Sequence, residues 1–93
     1  MNAEEVLGSK GRLRIIKVLA EFNEPLSLYY LERKTGIRRK SLRSDLEFLE
    51  KNGVVKATGY SVKKYTLDYE RQETLEILNC LYKVGYISAY LKV

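Results

Sequence analysis

The side chains of this chain that could do chemistry are cations, hydroxyls and one thiol. Arg38, Arg39, Lys40, Ser41, Arg43 and Ser44 crowd one short stretch, and Tyr60, Lys63 and Lys64 form a second group further on. Guanidinium and ammonium groups at this density bind phosphates, and an arginine also reaches a guanine edge with two parallel hydrogen bonds. Catalysis, by contrast, lacks its parts. There is no histidine, which removes imidazole base catalysis and His-ligated metals. The single cysteine, Cys80, excludes an intrachain disulfide and a cysteine-rich zinc site within one chain. Neither serine with lysine nor the eight tyrosines have a spacing that sets a nucleophile beside a base. The expectation is a protein that binds, with no enzymatic activity, no cofactor and no metal.

The distribution of charge sharpens this. The chain carries a net charge of +5. Residues 33–64 hold ten basic side chains against three acidic ones, a net +7, and the two flanks together come to −2. Positive charge gathered in one third of a chain is either a solvated face or the footprint of an anionic polymer, and its coincidence with a helical pattern favours the polymer. With 93 residues there is room for one domain, and 45% hydrophobic with 31% charged residues is a globular composition. The longest apolar run, Leu28 to Leu31, is far too short to span a membrane or form a secretion signal, and residues 1–5 are acidic. A cytoplasmic protein that does not engage membranes is expected.

The elements that must position these side chains are legible in outline. Asn2 and Glu5 have capping-box spacing for a short opening turn that Gly8 and Gly11 interrupt. Leu13, Ile15, Ile16, Val18, Leu19, Ala20 and Phe22 form a helical stripe over 12–22, with Lys10, Arg12, Arg14, Lys17 and Glu21 as its polar complement. Pro25 ends that helix. Ser27 caps a second helix over 28–35 that exits at Gly36, with Tyr29 and Tyr30 adding bulk to its inner side. A third helix over 39–51 buries Leu42, Leu46 and Leu49 and turns Lys40, Ser44, Glu47 and Lys51 outward, flanked by Arg39, Ser41 and Arg43. Residues 54–58 and 64–67 read as two strands joined at Gly59-Tyr60-Ser61.

From an Asp68 cap, the last element reads as one helix to residue 93 with two apolar faces. Ile77, Cys80, Leu81, Val84, Ile87 and Leu91 line one face, and Leu75, Leu78, Tyr82, Gly85 and Ala89 the other. A small domain cannot easily cover both, so a homodimer through the first set is expected. Cys80 is then either a small buried hydrophobe or, near a two-fold axis, one half of an intersubunit disulfide.

Three helices, a two-stranded ribbon and a last helix follow the order of a winged helix-turn-helix, an α+β and mainly helical fold. The run from Leu28 to Ile37 resembles the first helix and turn of that motif. The run from Ser41 to Val55, ending Leu-Glu-Lys-Asn-Gly-Val-Val, resembles a recognition helix entering the wing. Lys63-Lys64-Tyr65-Thr66-Leu67 is similar to the wing's returning strand. The likeness spans 12–67, with 68–93 placed as a dimerisation helix, in the manner of small archaeal and archaeal-virus regulators. One departure is Arg38, where the family often has a capping Ser or Thr.

The resemblance implies a homodimeric transcription regulator that reads double-stranded DNA. Arg38, Arg39, Lys40, Ser41, Arg43 and Ser44 would lie in the major groove, and Tyr60, Lys63 and Lys64 of the wing over 56–64 on the backbone or minor groove. Arg14, Lys17, Arg33 and Lys34 are weaker phosphate contacts or ordinary surface charge. Two rivals stand beside this reading, a winged helix that docks on transcription machinery and one that binds RNA.

Overall fold

Ser9 opens the first long helix, its hydroxyl accepting the Arg12 N–H at 3.2 Å. In the computed structural model, which describes residues 6–88, that helix is α1, Lys10–Phe22. It starts ahead of the expected position because Gly11 is accommodated within its first turn. The Asn2–Glu5 capping box lies outside the described residues. β1 (Leu26–Ser27), α2 (Leu28–Thr35), α3 (Arg39–Lys51), β2 (Val55–Thr58), β3 (Lys64–Leu67) and α4 (Gln72–Lys83) complete the order. The sheet is antiparallel, β1-β3-β2, with Leu26 opposite Tyr65 and Val55 opposite Leu67. β1 was not expected from sequence; two residues carry no readable alternation, and their partner strand is distant in the chain.

The core is a single cluster. Ile15, Ile16 and Leu19 of α1, Leu31 of α2, Leu42, Leu46 and Leu49 of α3, Val54, Val55 and Leu67 of the hairpin, and Leu78 of α4 are buried in it. Two expected core side chains turn out instead. Tyr29 and Tyr30 are exposed and meet edge to face, their ring centroids 5.8 Å apart. Phe22 is also exposed. A short helix has only one inward face, and Leu31 with Thr35 fills it.

The corner between α2 and α3 is tied by buried Thr35. Its hydroxyl donates to the Leu31 carbonyl at 2.6 Å and accepts the Ile37 N–H at 3.2 Å. Gly36, at φ 73°, supplies the left-handed step and donates to the Glu32 carbonyl at 3.0 Å. A second tie joins α1 to α3. The Arg12 guanidinium lies 3.6 Å from the centre of the Phe48 ring, and its Nε is 3.5 Å from Asp45 Oδ1. Gly11 makes this approach possible, since a Cβ there would collide with the Asp45 carboxylate. Arg12, expected on the solvated side of α1, is thus half-buried.

The last helix departs most from expectation. Asp68 does not cap it; its carboxylate accepts the Glu70 N–H at 3.2 Å, a turn that precedes the helix. The N-cap is Arg71, which makes no side-chain capping bond. The Glu73 carboxyl, in the first turn, is held below its ordinary pKa by its own backbone N–H and then by Arg71. The helix ends at Lys83 rather than running on to residue 93. Gly85 takes φ 79°, the Tyr86 N–H bonds the Leu81 carbonyl at 2.9 Å, and the chain folds back so that Ile87 is buried. Ile77, Leu81 and Ile87, expected on a dimer face, are instead buried in this chain's own core. Cys80 and Val84 are exposed, and Leu91 lies outside the described residues, as does Ala89. The reading of Cys80 as a buried hydrophobe is corrected at the same time.

Two substitutions test these ties. Thr35→Val removes both bonds at the corner and leaves the part-buried Ile37 N–H without its acceptor, so the unfolding free energy should fall by about 1–2 kcal/mol. Urea denaturation reads this as a lower midpoint at unchanged slope. Asp45→Asn takes the charge from a pair about one-fifth exposed and should cost about 1–2 kcal/mol. Glu32→Gln, at the surface, serves as the control and should cost under about 0.5 kcal/mol.

Candidate nucleic-acid interface

α3 presents one leucine face to the core and the other side to solvent. Arg38, Arg39, Lys40, Ser41, Arg43 and Ser44 are all exposed. Arg38 is the N-cap residue and makes no side-chain capping bond, so its side chain is not spent on the helix start. The start is closed through the backbone instead, by the Leu42 N–H on the Arg38 carbonyl at 2.8 Å. At the far end Asn52 Nδ2 donates to the Phe48 carbonyl at 2.9 Å.

The two arginines expected to reach bases differ in what they already hold. Arg39 Nη2 sits 3.0 Å from Glu32 Oε1, bridging α3 to α2. Arg43 makes no ion pair among the described residues, nor do Arg38 and Lys40. Arg39 is thus partly a strut of the corner, whereas Arg43 and Lys40 are uncommitted cations on the first half of the helix.

The hairpin faces this helix across an open groove of about 670 Å³. Arg39, Arg43 and Glu47 of α3 line one wall, Ser61, Val62 and Lys63 of the hairpin the other, and Tyr29 of α2 one end. Three expected residues, Arg39, Arg43 and Lys63, are therefore brought together. Lys64 is not, because strand alternation turns it to the opposite side. There it lines a second cavity, about 460 Å³, with Phe22, Pro25, Tyr30 and Lys34. Tyr60 stands at the hairpin tip, fully exposed. Gly59 makes the tight tip possible: it takes φ 101°, and a Cβ there would collide with the Val62 carbonyl.

Sequence reasoning named neither Glu47 nor Val62 as site residues. Glu47 had been placed on the outer face, but its position opposite the hairpin is visible only in three dimensions. Val62 falls between the expected turn and the returning strand, where no periodicity marks it. The weaker candidates mostly have aromatic partners. Arg33 donates to the Tyr29 hydroxyl at 2.8 Å, Lys34 lies 5.1 Å from the Phe22 ring centre, and Lys17 lies 5.0 Å from that of Tyr86. Among the described residues, no group of three or more His, Cys, Asp or Glu side chains is placed to hold a metal. No described helix is long and apolar enough to cross a membrane.

No family model and no curated protein sequence matches the chain. Solved structures do. The transcriptional repressor BigR from Xylella fastidiosa aligns with a TM-score of 0.74 at 24% identity, covering 88% of this chain and 78% of that one. HlyU from Vibrio cholerae gives 0.74 at 20% identity, over 90% and 88%. The homodimeric winged helix-turn-helix DNA-binding domain Mb0332 from Mycobacterium bovis, a possible ArsR-family transcriptional regulator, gives 0.71 at 19% identity, over 88% and 73%. Identities this low speak to architecture. The helices α1–α4, a three-stranded antiparallel sheet and a groove between α3 and the hairpin give this chain the winged helix-turn-helix fold.

Proposed function

We propose that the chain is a transcription regulator that binds double-stranded DNA as a homodimer, with α3 in the major groove and the hairpin against the backbone or minor groove. One observation carries this: Arg43 of the exposed helix face and Lys63 of the hairpin converge on one open groove in a winged helix-turn-helix. An α-helix fits the major groove, and its N-terminal half meets base edges. Lys40, Ser41, Arg43 and Ser44 occupy that half. Arg43 is the choice for a guanine edge, a contact worth about 1–3 kcal/mol of discrimination. Lys40 and Lys63 are suited to phosphates. Arg39 can join only by sharing its guanidinium with Glu32. The names of the neighbours support the same reading, since one is a repressor and another a DNA-binding domain.

The dimer has its own two supports. The Mycobacterium bovis domain is homodimeric, and α4 leaves Cys80 and Val84 exposed near its end, Val84 at 72%. Self-association through this edge sets two recognition helices on successive major grooves, roughly 34 Å apart, on a pseudo-palindromic site. If the two-fold axis passes by Cys80, its symmetry mate comes within disulfide reach, and non-reducing electrophoresis after oxidation should show a two-chain band.

Binding to a duplex should weaken as salt rises, with log K against log salt steepening by about 0.9 per neutralised phosphate. Lys40→Ala should reduce that slope by about one phosphate while leaving sequence preference intact. Arg43→Glu should abolish preference altogether. A mobility-shift titration at low salt reads all three; no duplex complex at any concentration overturns the reading, and a complex formed with RNA alone replaces it. Sedimentation equilibrium should give the mass of two chains, and Val84→Glu should return it to one.

A further inference from the structure

We propose that the wing is not only a clamp but a wedge: Tyr60, with Val62 behind it, inserts between base pairs from the minor groove, unstacks a step and kinks the duplex. This rests on the duplex-binding reading and adds an activity to it, deformation of the DNA.

The physical anomaly is the hairpin tip. Tyr60 is 109% exposed, and Val62, where the groove wall meets the tip, is 58% exposed, two large apolar side chains left open to water. Single exposed hydrophobes need no explanation, but these are two positions apart on a projection. The other strongly exposed aromatics have company: Tyr29 holds Tyr30 and Arg33, and Phe22 holds Lys34. Tyr60 has neither a ring nor a hydrogen-bond partner among the described residues. Nor is the tip slack, because the left-handed Gly59 packs its Cα edge against the Val62 carbonyl and sets the two side chains on a tight turn.

Charge placement identifies the partner. Lys63 lines the groove facing α3, and Lys64 lines the cavity on the other side of the sheet. The hairpin is therefore apolar at its tip and cationic on both flanks. The minor groove has the complementary pattern: about 6 Å wide, walled on each side by a phosphate backbone, with stacked base edges at its floor. A hairpin seated there puts one lysine toward each backbone and drives the tip at the base steps. Apolar side chains so placed unstack a step and bend the duplex toward the major groove. An acidic protein surface would satisfy the lysines but offers no slot for the ring between them.

The test uses the full chain and a duplex selected from a random pool. A set of such duplexes carries 2-aminopurine at successive positions, and circularly permuted fragments report bending by gel mobility. The wild type should raise 2-aminopurine fluorescence at one step on the flank of each half-site and should bend the fragment. Tyr60→Ala should return the fluorescence to the free-duplex level, remove the bend and lower affinity by about tenfold. Val62→Ala should reduce both signals, and Tyr60→Phe should keep them, since the ring and not the hydroxyl does the wedging. Full exposure of Tyr60 means these variants fold, which circular dichroism checks. Tight binding with fluorescence unchanged at every position, or a Tyr60→Ala variant that bends like the wild type, overturns the wedge and leaves duplex binding standing. Absence of any duplex complex at low salt overturns both.

Discussion

The Arg12 guanidinium laid on the Phe48 ring, with Asp45 at its Nε, is the contact on which the site's geometry depends. α3 has to bury three leucines and keep its opposite side exposed, so its rotation about its own axis must be set from the flanks. The clasp to α1 does this on one side. A partly desolvated cation–π contact is worth about 1–2 kcal/mol. Glycine inside a helix costs about 1 kcal/mol relative to alanine. Gly11 gives up that helix propensity so that the Asp45 carboxylate can approach α1. Local helix stability is exchanged there for a fixed α3, and the two terms are of similar size.

The same economy divides the basic residues. Arg12, Lys17, Arg33 and Lys34 each lie over an aromatic ring, and Arg39 is paired with Glu32. These cations stiffen the scaffold, and drawing one to a phosphate forfeits its present partner. Arg38, Lys40, Arg43, Lys63 and Lys64 have no ion pair among the described residues and no ring beneath them. The local excess of +7 seen in sequence thus overstates the charge at liberty. Most of what is at liberty lies on the start of α3 and on the hairpin, with Lys51 at the far end of α3.

How much of this is legible in sequence depends on range. α2 and α3 are found with their observed bounds because their ends are marked locally, by Ser27, Gly36 and Gly53. The hairpin is found for the same reason. What escapes is whatever a distant residue decides. β1 exists because β3 pairs with it. Arg12 looks like a solvated polar position until Phe48 of another helix lies beneath it. Lys63 and Lys64 look like one basic pair, yet the strand sends them to opposite sides. In the last helix the apolar period continues past the true end, because Ile87 returns to the same core through a turn and not through another helical turn. Periodicity alone cannot separate those two routes; Gly85 was the one signal available.

That early end changes what self-association can act on. A small chain covers only about 60–65% of its extended surface on folding. Returning Ile87 to the core recovers apolar burial that a straight helix would have offered to a second copy. The exposed edge left on α4 is narrow, but it is mechanically well placed. Thr74 in its first turn donates to the Gly53 carbonyl at 3.2 Å, and the Arg71 guanidinium packs on Gly53 where no side chain intervenes. Gly53 lies in the turn that closes α3. A contact between copies made through α4 is therefore one hydrogen bond away from the recognition helix. In the proposed dimer, a rotation of α4 about the two-fold would have to pass through that turn, so subunit geometry and the spacing of the two α3 helices would be set together.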